Sequence, residues 1–156
     1  MRIVPLPPNA ELEKLLAGLV MREVRVKATE AMPGKPAAVA LYRTDVPMQE
    51  VAVVCELGLA ASLAAALSVV PPGAVKEAVA AGRMEASLQD NLAEVMNVLS
   101  RFVSGSGRRY GLVHSWAPPE VGDAKVLDAV QASDEVRAAA VEVPGYLGGL
   151  LAFYTL

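Results

Sequence analysis

The stretch Asp90-Asn91-Leu92-Ala93-Glu94-Val95-Met96-Asn97 decides the expected fold, because two helical patterns run through it and its flanks. One pattern is polar. At about 100° per residue its members fall within an arc of roughly 60°; we call them the polar stripe, and they are Asp90, Glu94, Asn97 and Arg101. The other pattern is apolar and lies on the opposite face, at Leu88, Leu92, Val95, Leu99 and Phe102. The sequence therefore predicts a long amphipathic helix that is anchored to a core by its apolar face.

The polar stripe has two interpretations. It would suit a docking face, because the small residues Ala93 and Ser100 flank it and would let a partner surface approach Glu94 and Asn97. The outer face of any amphipathic helix is polar, however, so a merely solvated face has the same composition and is the commoner case. Spacing alone leaves both interpretations open.

The pattern D-x-x-x-E-x-x-N resembles the signature of the CheC/CheX phosphatases, which dephosphorylate the chemotaxis response regulator CheY. In this chain the signature falls on Asp90, Glu94 and Asn97, and the proline that follows it in the family corresponds to Pro118 or Pro119, at a slightly short interval. The opening segment 9–16 and the closing segments 140–146 and 150–153 also look like the start and the terminal hairpin of a CheX-type domain. The resemblance covers most of the chain.

The resemblance implies an α/β (α+β) fold, with residues 1–156 forming one CheX-like domain whose antiparallel β-sheet is covered by helices. It implies a protein aspartyl-phosphate phosphatase (a hydrolase) that acts on a phosphorylated CheY-like receiver in bacterial chemotaxis or two-component signalling. Glu94 and Asn97 would be the catalytic residues: Glu94 would pair with the active-site lysine of the receiver, and Asn97 would orient the attacking water. Asp90 and Arg101 would bind the partner beside them. The receiver would supply the Mg²⁺, so no cofactor or metal of its own is expected for this chain.

Arg101 and the slightly short interval to Pro118 or Pro119 keep an alternative open. Arg101 stands where CheX-type sequences tend to carry Gly, and a long Arg beside Asn97 would either obstruct docking or hold a phosphate. The first helix offers Glu11-x-x-Lys14 instead of a second Glu-x-x-Asn site, which leaves the single-site, CheX-like arrangement. The alternative is a catalytically inactive module that binds a receiver or a flagellar switch component. A small oligomeric structural domain without a receiver partner is a third interpretation.

Composition excludes several other classes. The chain has 156 residues, 54% of them hydrophobic, which is enough for a single sizeable core. A net charge of −3 without a basic stripe disfavours nucleic acid and anionic membranes as partners. The lone Cys55 lies in an apolar run and is expected to be a buried hydrophobe in a reducing compartment. Residues 1–8 lack the pattern of a secretory signal, so we expect a cytoplasmic protein.

Hydrophobic periodicity and turn residues predict the remaining elements. An amphipathic helix follows the N-cap candidate Asn9, and strands at residues 24–27, 39–42 and 51–56 are expected to form a three-stranded meander, with the third in the centre of the sheet. The uncharged segment 57–75 is cut by Pro71 and Pro72 and suits a core helix better than a membrane span. After it come a short helix at 74–81, the motif helix at 84–103, a strand at 112–116, an ambiguous segment at 122–133 and a final hairpin.

Three further features need an interpretation. His114 is the only histidine and lacks metal-ligating or triad partners in sequence, so we expect it to be structural. Residues 104–109 are rich in Ser, Gly and Arg but follow a helix, whereas a P-loop precedes one, so a flexible connector is favoured. The apolar C-terminal segment 150–156 is expected inside a sheet, next to a strand of a second copy, which leads us to expect a homodimer.

Overall fold

The computed structural model describes residues 6–45 and 47–156. The helices of this part are α1 (Asn9–Val20), α2 (Leu57–Leu67), α3 (Pro72–Ala81), α4 (Ala86–Val103) and α5 (Ala124–Ala132), and a 3₁₀ turn at Ser104–Ser106 follows α4. The strands are β1 (Arg25–Thr29), β2 (Ala37–Thr44), β3 (Gln49–Glu56), β4 (Gly111–Trp116), β5 (Val136–Glu142) and β6 (Gly149–Thr155). Residues 1–5, on which the expectation of no export signal partly depends, lie outside the described residues.

The six strands form one sheet in the order β1-β5-β6-β3-β2-β4, and every pair in it is antiparallel. The predicted α+β fold with an antiparallel sheet covered by helices is therefore confirmed. The nearly continuous apolar run of β3 lies between β6 and β2, as expected of a central strand. β6 is also an inner strand, between β5 and β3, so the expectation that the C-terminal segment lies inside the sheet is confirmed.

The prediction of a three-stranded meander is wrong for β1. β2 and β3 form a hairpin, but β1 pairs with β5, with Arg25 opposite Glu142 and Thr29 opposite Ala138. The connection from β1 to β2, residues 30–36, is long enough to let β2 lie elsewhere in the sheet, and the hairpin of β5 and β6 fills the space between β1 and β3. β1 therefore pairs with a strand that is distant in sequence, β5, and not with its neighbour in sequence, β2.

The outer strands of the sheet are β1 and β4, not β6. The exposed apolar edge from which we inferred a homodimer is therefore absent, and that argument is wrong, although the homodimer itself stays a prediction. β1 carries an additional contact, because the backbone N–H of Val26 donates to the Glu13 carboxylate of α1 over 2.9 Å.

The main core lies between one face of the sheet and helices α1 to α4. α2 is almost entirely buried, which confirms it as a core helix, and no helix within the described ranges is long and apolar enough to cross a membrane. Tyr42 of β2 is fully buried in this core, and its hydroxyl donates to the Met96 carbonyl of α4 over 2.5 Å. Cys55 is buried in the same core, as expected, and burial raises the pKa of its thiol.

The opposite face of the sheet carries α5, which resolves the ambiguous segment as a helix. Asp123 caps it, because its carboxylate accepts a hydrogen bond from the backbone N–H of Lys125 over 2.7 Å. Val126 and Leu127 pack there on a second, smaller apolar cluster that includes Val39 and Leu41 of β2. This layer lies on the side of the sheet away from α4.

We expect Tyr42→Phe to lower the free energy of unfolding by about 1 kcal/mol, because it removes a buried hydrogen bond and leaves the shape unchanged. Urea unfolding followed by circular dichroism measures this difference. Tyr154→Phe is the matched control, since the Tyr154 hydroxyl has only a 3.8 Å contact with the Met32 sulfur and the side chain is partly exposed. An equal loss of unfolding free energy in both variants would show that the hydrogen bond between Tyr42 and Met96 adds no stability beyond that of a partly exposed tyrosine hydroxyl.

Candidate functional site

The polar stripe lies on the outer face of α4, as the sequence predicts. Asp90, Glu94, Asn97 and Arg101 are all exposed, and their shared helix brings them together along one line. The opposite face of α4 is buried in the core through Leu88, Leu92, Val95, Met96, Val98, Leu99, Phe102 and Val103. The amphipathic helix is confirmed, and the side chains of the stripe are free to meet another molecule.

α4 is held in place by polar contacts as well as by its apolar face. The bond from Tyr42 fixes its middle to β2, and the Asn91 side-chain amide donates to the Ala64 carbonyl over 2.9 Å and to the Ser68 hydroxyl over 2.8 Å. Ala64 lies in the last turn of α2, where carbonyls lack partners within the helix, so Asn91 caps α2 from its neighbour. This role of Asn91 was missed, because sequence spacing does not show which helix end lies beside it.

The side chains of the polar stripe make no hydrogen bond or ion pair with any other residue described by the structure. The nearest polar group, the Ser100 hydroxyl, donates to the Asn97 backbone carbonyl over 2.6 Å, which leaves the Asn97 carboxamide unoccupied. A carboxamide that is exposed and unpaired on a fixed helix can donate to, and accept from, a group on a second protein. Glu94, one turn before it, adds an exposed carboxylate.

An open groove of about 1100 Å³ runs between α1 and α4, alongside the stripe. It is lined by Leu6, Pro7, Pro8, Glu11, Lys14, Leu15, Gly18, Leu19, Glu94, Val98, Arg101, Phe102 and Gly105. Glu94 and Arg101 thus belong both to the polar stripe and to the rim of the groove. The groove was not foreseen, since it depends on how two helices far apart in sequence pack together.

The predicted proline lies away from the stripe. The Pro118 carbonyl accepts a hydrogen bond from the Met84 N–H over 3.0 Å, just before α4 begins. Asn97 is eleven residues beyond Ala86, which corresponds to about 16 Å along the helix axis. Pro118 therefore supports the start of α4 and lies about four turns of the helix from Asn97.

The other candidate features have structural roles. His114 is exposed on β4, and its ring packs at 4.5 Å from the ring of Trp116. Residues 104–107 form a turn in which the Ser104 hydroxyl accepts a hydrogen bond from the Tyr110 N–H over 2.9 Å, so this segment follows α4 and is not a P-loop. Within the described part of the chain, no group of three or more His, Cys, Asp or Glu residues is placed to hold a metal ion.

Solved structures with the same arrangement of elements include several chemotaxis and flagellar proteins. A chain of the FliM–SpeE complex from H. pylori has a TM-score of 0.67 at 8% identity, with 94% of this chain and 82% of that chain covered. The FliM middle domain of Vibrio alginolyticus has a TM-score of 0.62 at 11% identity and covers 93% and 86%. The chain shares the fold of these proteins.

CheX from Vibrio vulnificus also matches, with a TM-score of 0.49, 11% identity and coverage of 94% of this chain and 91% of that chain. CheX is thus among the solved structures to which this chain is similar. Identities this low show the fold alone, and the score for CheX is too low for a residue-by-residue comparison. No protein-family model matches the chain, and no curated protein matches it either.

The two asparagines of α4 should differ sharply in their effect on stability. Asn91→Ala removes the cap on α2 and should lower the free energy of unfolding by about 1 kcal/mol. Asn97→Ala breaks no side-chain contact and should leave stability unchanged or raise it by about 0.5 kcal/mol through better helix propensity. Thermal melts of both variants measure this contrast, and a destabilised Asn97→Ala would show that Asn97 has an internal partner.

Proposed function

We propose that this chain docks on a phosphorylated CheY-like receiver through the polar stripe and hydrolyses its aspartyl phosphate. One observation carries the proposal: Glu94 and Asn97 lie one turn apart and exposed, without a side-chain hydrogen bond or ion pair to any described residue, on a helix whose other face is anchored in the core. A helix fixed in this way would place both side chains on a partner at little cost in conformational entropy. The resemblance of the stripe to the CheC/CheX signature supports the choice of partner.

The proposed reaction needs little more than an aligned water. The carboxylate of a phospho-aspartate is a good leaving group, so catalysis depends mainly on positioning, much as a glutamine orients water in small GTPases. The Asn97 carboxamide would hold the water in line with the phosphorus. Water oxygen then bonds to phosphorus, the bond from phosphorus to the aspartate oxygen breaks, and the products are a free carboxylate and inorganic phosphate, which takes up the proton. The receiver would bring the Mg²⁺ that neutralises its phosphoryl group.

The two carboxylates of the stripe would recognise the receiver. Glu94 would accept a charge-assisted hydrogen bond from the receiver's active-site lysine, and Asp90, one turn earlier, would extend this acidic surface. Charge complementarity of this kind acts mainly on encounter and register. Glu94 therefore serves binding more than the chemical step.

A second candidate is a binding module of the same fold without catalysis. Arg101 favours it, because this exposed cation lies one turn after Asn97 on the same face, where it would meet an approaching phosphoryl group. A cation there would hold the phosphate or keep the water from its position. Arg101→Ala distinguishes these two effects of the cation. Faster turnover in the variant would indicate that Arg101 obstructs the water, and weaker binding would indicate that it contacts the phosphate.

Asn97→Ala should reduce the accelerated release of phosphate from a receiver by about 10²-fold, because the water loses its orienting group. The measurement is phosphate release from acetyl-phosphate-treated receivers of the same genome, with the intrinsic rate of each receiver subtracted. Asn91→Gln serves as a control for changes in an α4 amide outside the stripe. Equal acceleration by the wild type and by Asn97→Ala would exclude the proposed role of Asn97.

Glu94→Lys should weaken binding to the phosphorylated receiver about tenfold or more, since it sets a cation against the receiver lysine. Glu77→Lys, an exposed residue of α3 outside the stripe, makes the same change of charge and should bind like the wild type. Titration by fluorescence anisotropy at two salt concentrations measures both. Equal weakening by the two variants would point to a net-charge effect and remove Glu94 from the proposed contact.

A further inference from the structure

The groove between α1 and α4 is a second contact surface for the same partner. We propose that it receives an amphipathic helix of the receiver, so that the receiver is held both at the polar stripe and in the groove. This inference depends on the proposed function for the identity of the partner, but the groove and its chemistry stand independently of catalysis.

The two walls of the groove run in opposite directions. Pro7, just before α1, lies against Gly105, just after α4, where even an added Cβ would come within 2.5 Å of the proline ring. The start of α1 therefore faces the end of α4. At about 1.5 Å per residue from this contact, Glu11 lies level with Arg101, and Lys14 lies level with Val98, between Arg101 and Glu94. Each wall of the groove thus carries one acid and one base, Glu11 and Lys14 on α1 and Glu94 and Arg101 on α4.

The floor of the groove is apolar. Val98 and Phe102 are buried on the α4 side, while Leu15 and Leu19 are half-buried on the α1 side and would lose water on contact. Gly18 leaves free space in the groove, since a Cβ built on it would have no neighbour within 4 Å. An apolar channel between two helices is the surface into which an amphipathic helix lays its apolar face.

The charged rim indicates what kind of helix fits. Within the described part of the chain, none of the four rim charges takes part in an ion pair, although each wall carries one acid and one base. A helix with an apolar face and flanks of both signs would find a partner for its charges on both walls. A uniformly basic or acidic peptide would meet like charges on each wall.

Continuity with the polar stripe selects the receiver from other occupants. Any helix in the groove covers Glu94 and Arg101, so a second copy or an unrelated peptide would exclude a receiver from the stripe. A receiver placed with its phosphoryl group at Asn97 already lies beside the groove. One partner can therefore satisfy both surfaces at once.

Gly18→Phe tests the inference, because its side chain would occupy the groove, where a Cβ built on Gly18 meets no other atom within 4 Å. Gly73→Phe is the matched control: it makes the same change on the exposed surface of α3, where a Cβ also has no neighbour within 4 Å. Both full-length variants are titrated with phosphorylated receivers, and circular dichroism melts check that they fold. We expect Gly18→Phe to weaken binding at least tenfold, to raise KM with little change in kcat, and Gly73→Phe to match the wild type.

The outcomes separate this inference from the proposed function. Wild-type binding by Gly18→Phe would overturn the groove contact, whatever the catalytic result. Binding without faster hydrolysis in the wild type would overturn the phosphatase while the loss in Gly18→Phe still supported the groove. A change in oligomeric mass on Gly18→Phe, seen by light scattering, would identify a second copy as the occupant, and no binding of any receiver by the wild type would overturn both proposals.

Discussion

Burial of the apolar face of α4 against the sheet is the interaction on which the remaining structure depends. α4 is the longest helix among the described residues, and its buried side chains link α1, α2 and β2 into one core. Tyr42 adds a fixed point, since a hydroxyl inside an apolar core must find a partner and the Met96 carbonyl supplies it. Hydrophobic burial gives this packing its strength, and the hydrogen bond gives it a single register.

This arrangement separates the residues that fold the protein from those proposed to act. The core contacts of α4 and the polar stripe lie on opposite faces of one helix, and the side chains of the stripe make no hydrogen bond or ion pair with other described residues. The polar stripe therefore offers an amide, two carboxylates and a cation on a rigid support, and in the proposed function a partner would bring the reacting group. A shared fold is consistent with different activities in such a case, because function depends on a few surface side chains.

Sequence predicted the elements whose patterns are local and strong. The 3.6-residue period of α4 and the apolar run of β3 define their own type, and the prolines after α2 define its length. The pairing of β1 with β5, the groove beside Gly18 and the capping role of Asn91 were missed for a common reason. Each depends on which distant segments meet, and that is decided by the packing of the whole core.

The two borders of the sheet are not equivalent. On β1 the Val26 N–H is already engaged by Glu13, so an incoming strand would have to break a charge-assisted hydrogen bond before it could add there. No described side chain accepts a hydrogen bond from a backbone N–H group of β4 in this way, and the strand exposes Val113. Growth of the sheet, whether in assembly or in aggregation at high concentration, therefore has a preferred direction, outward from β4 and away from the end that carries β1.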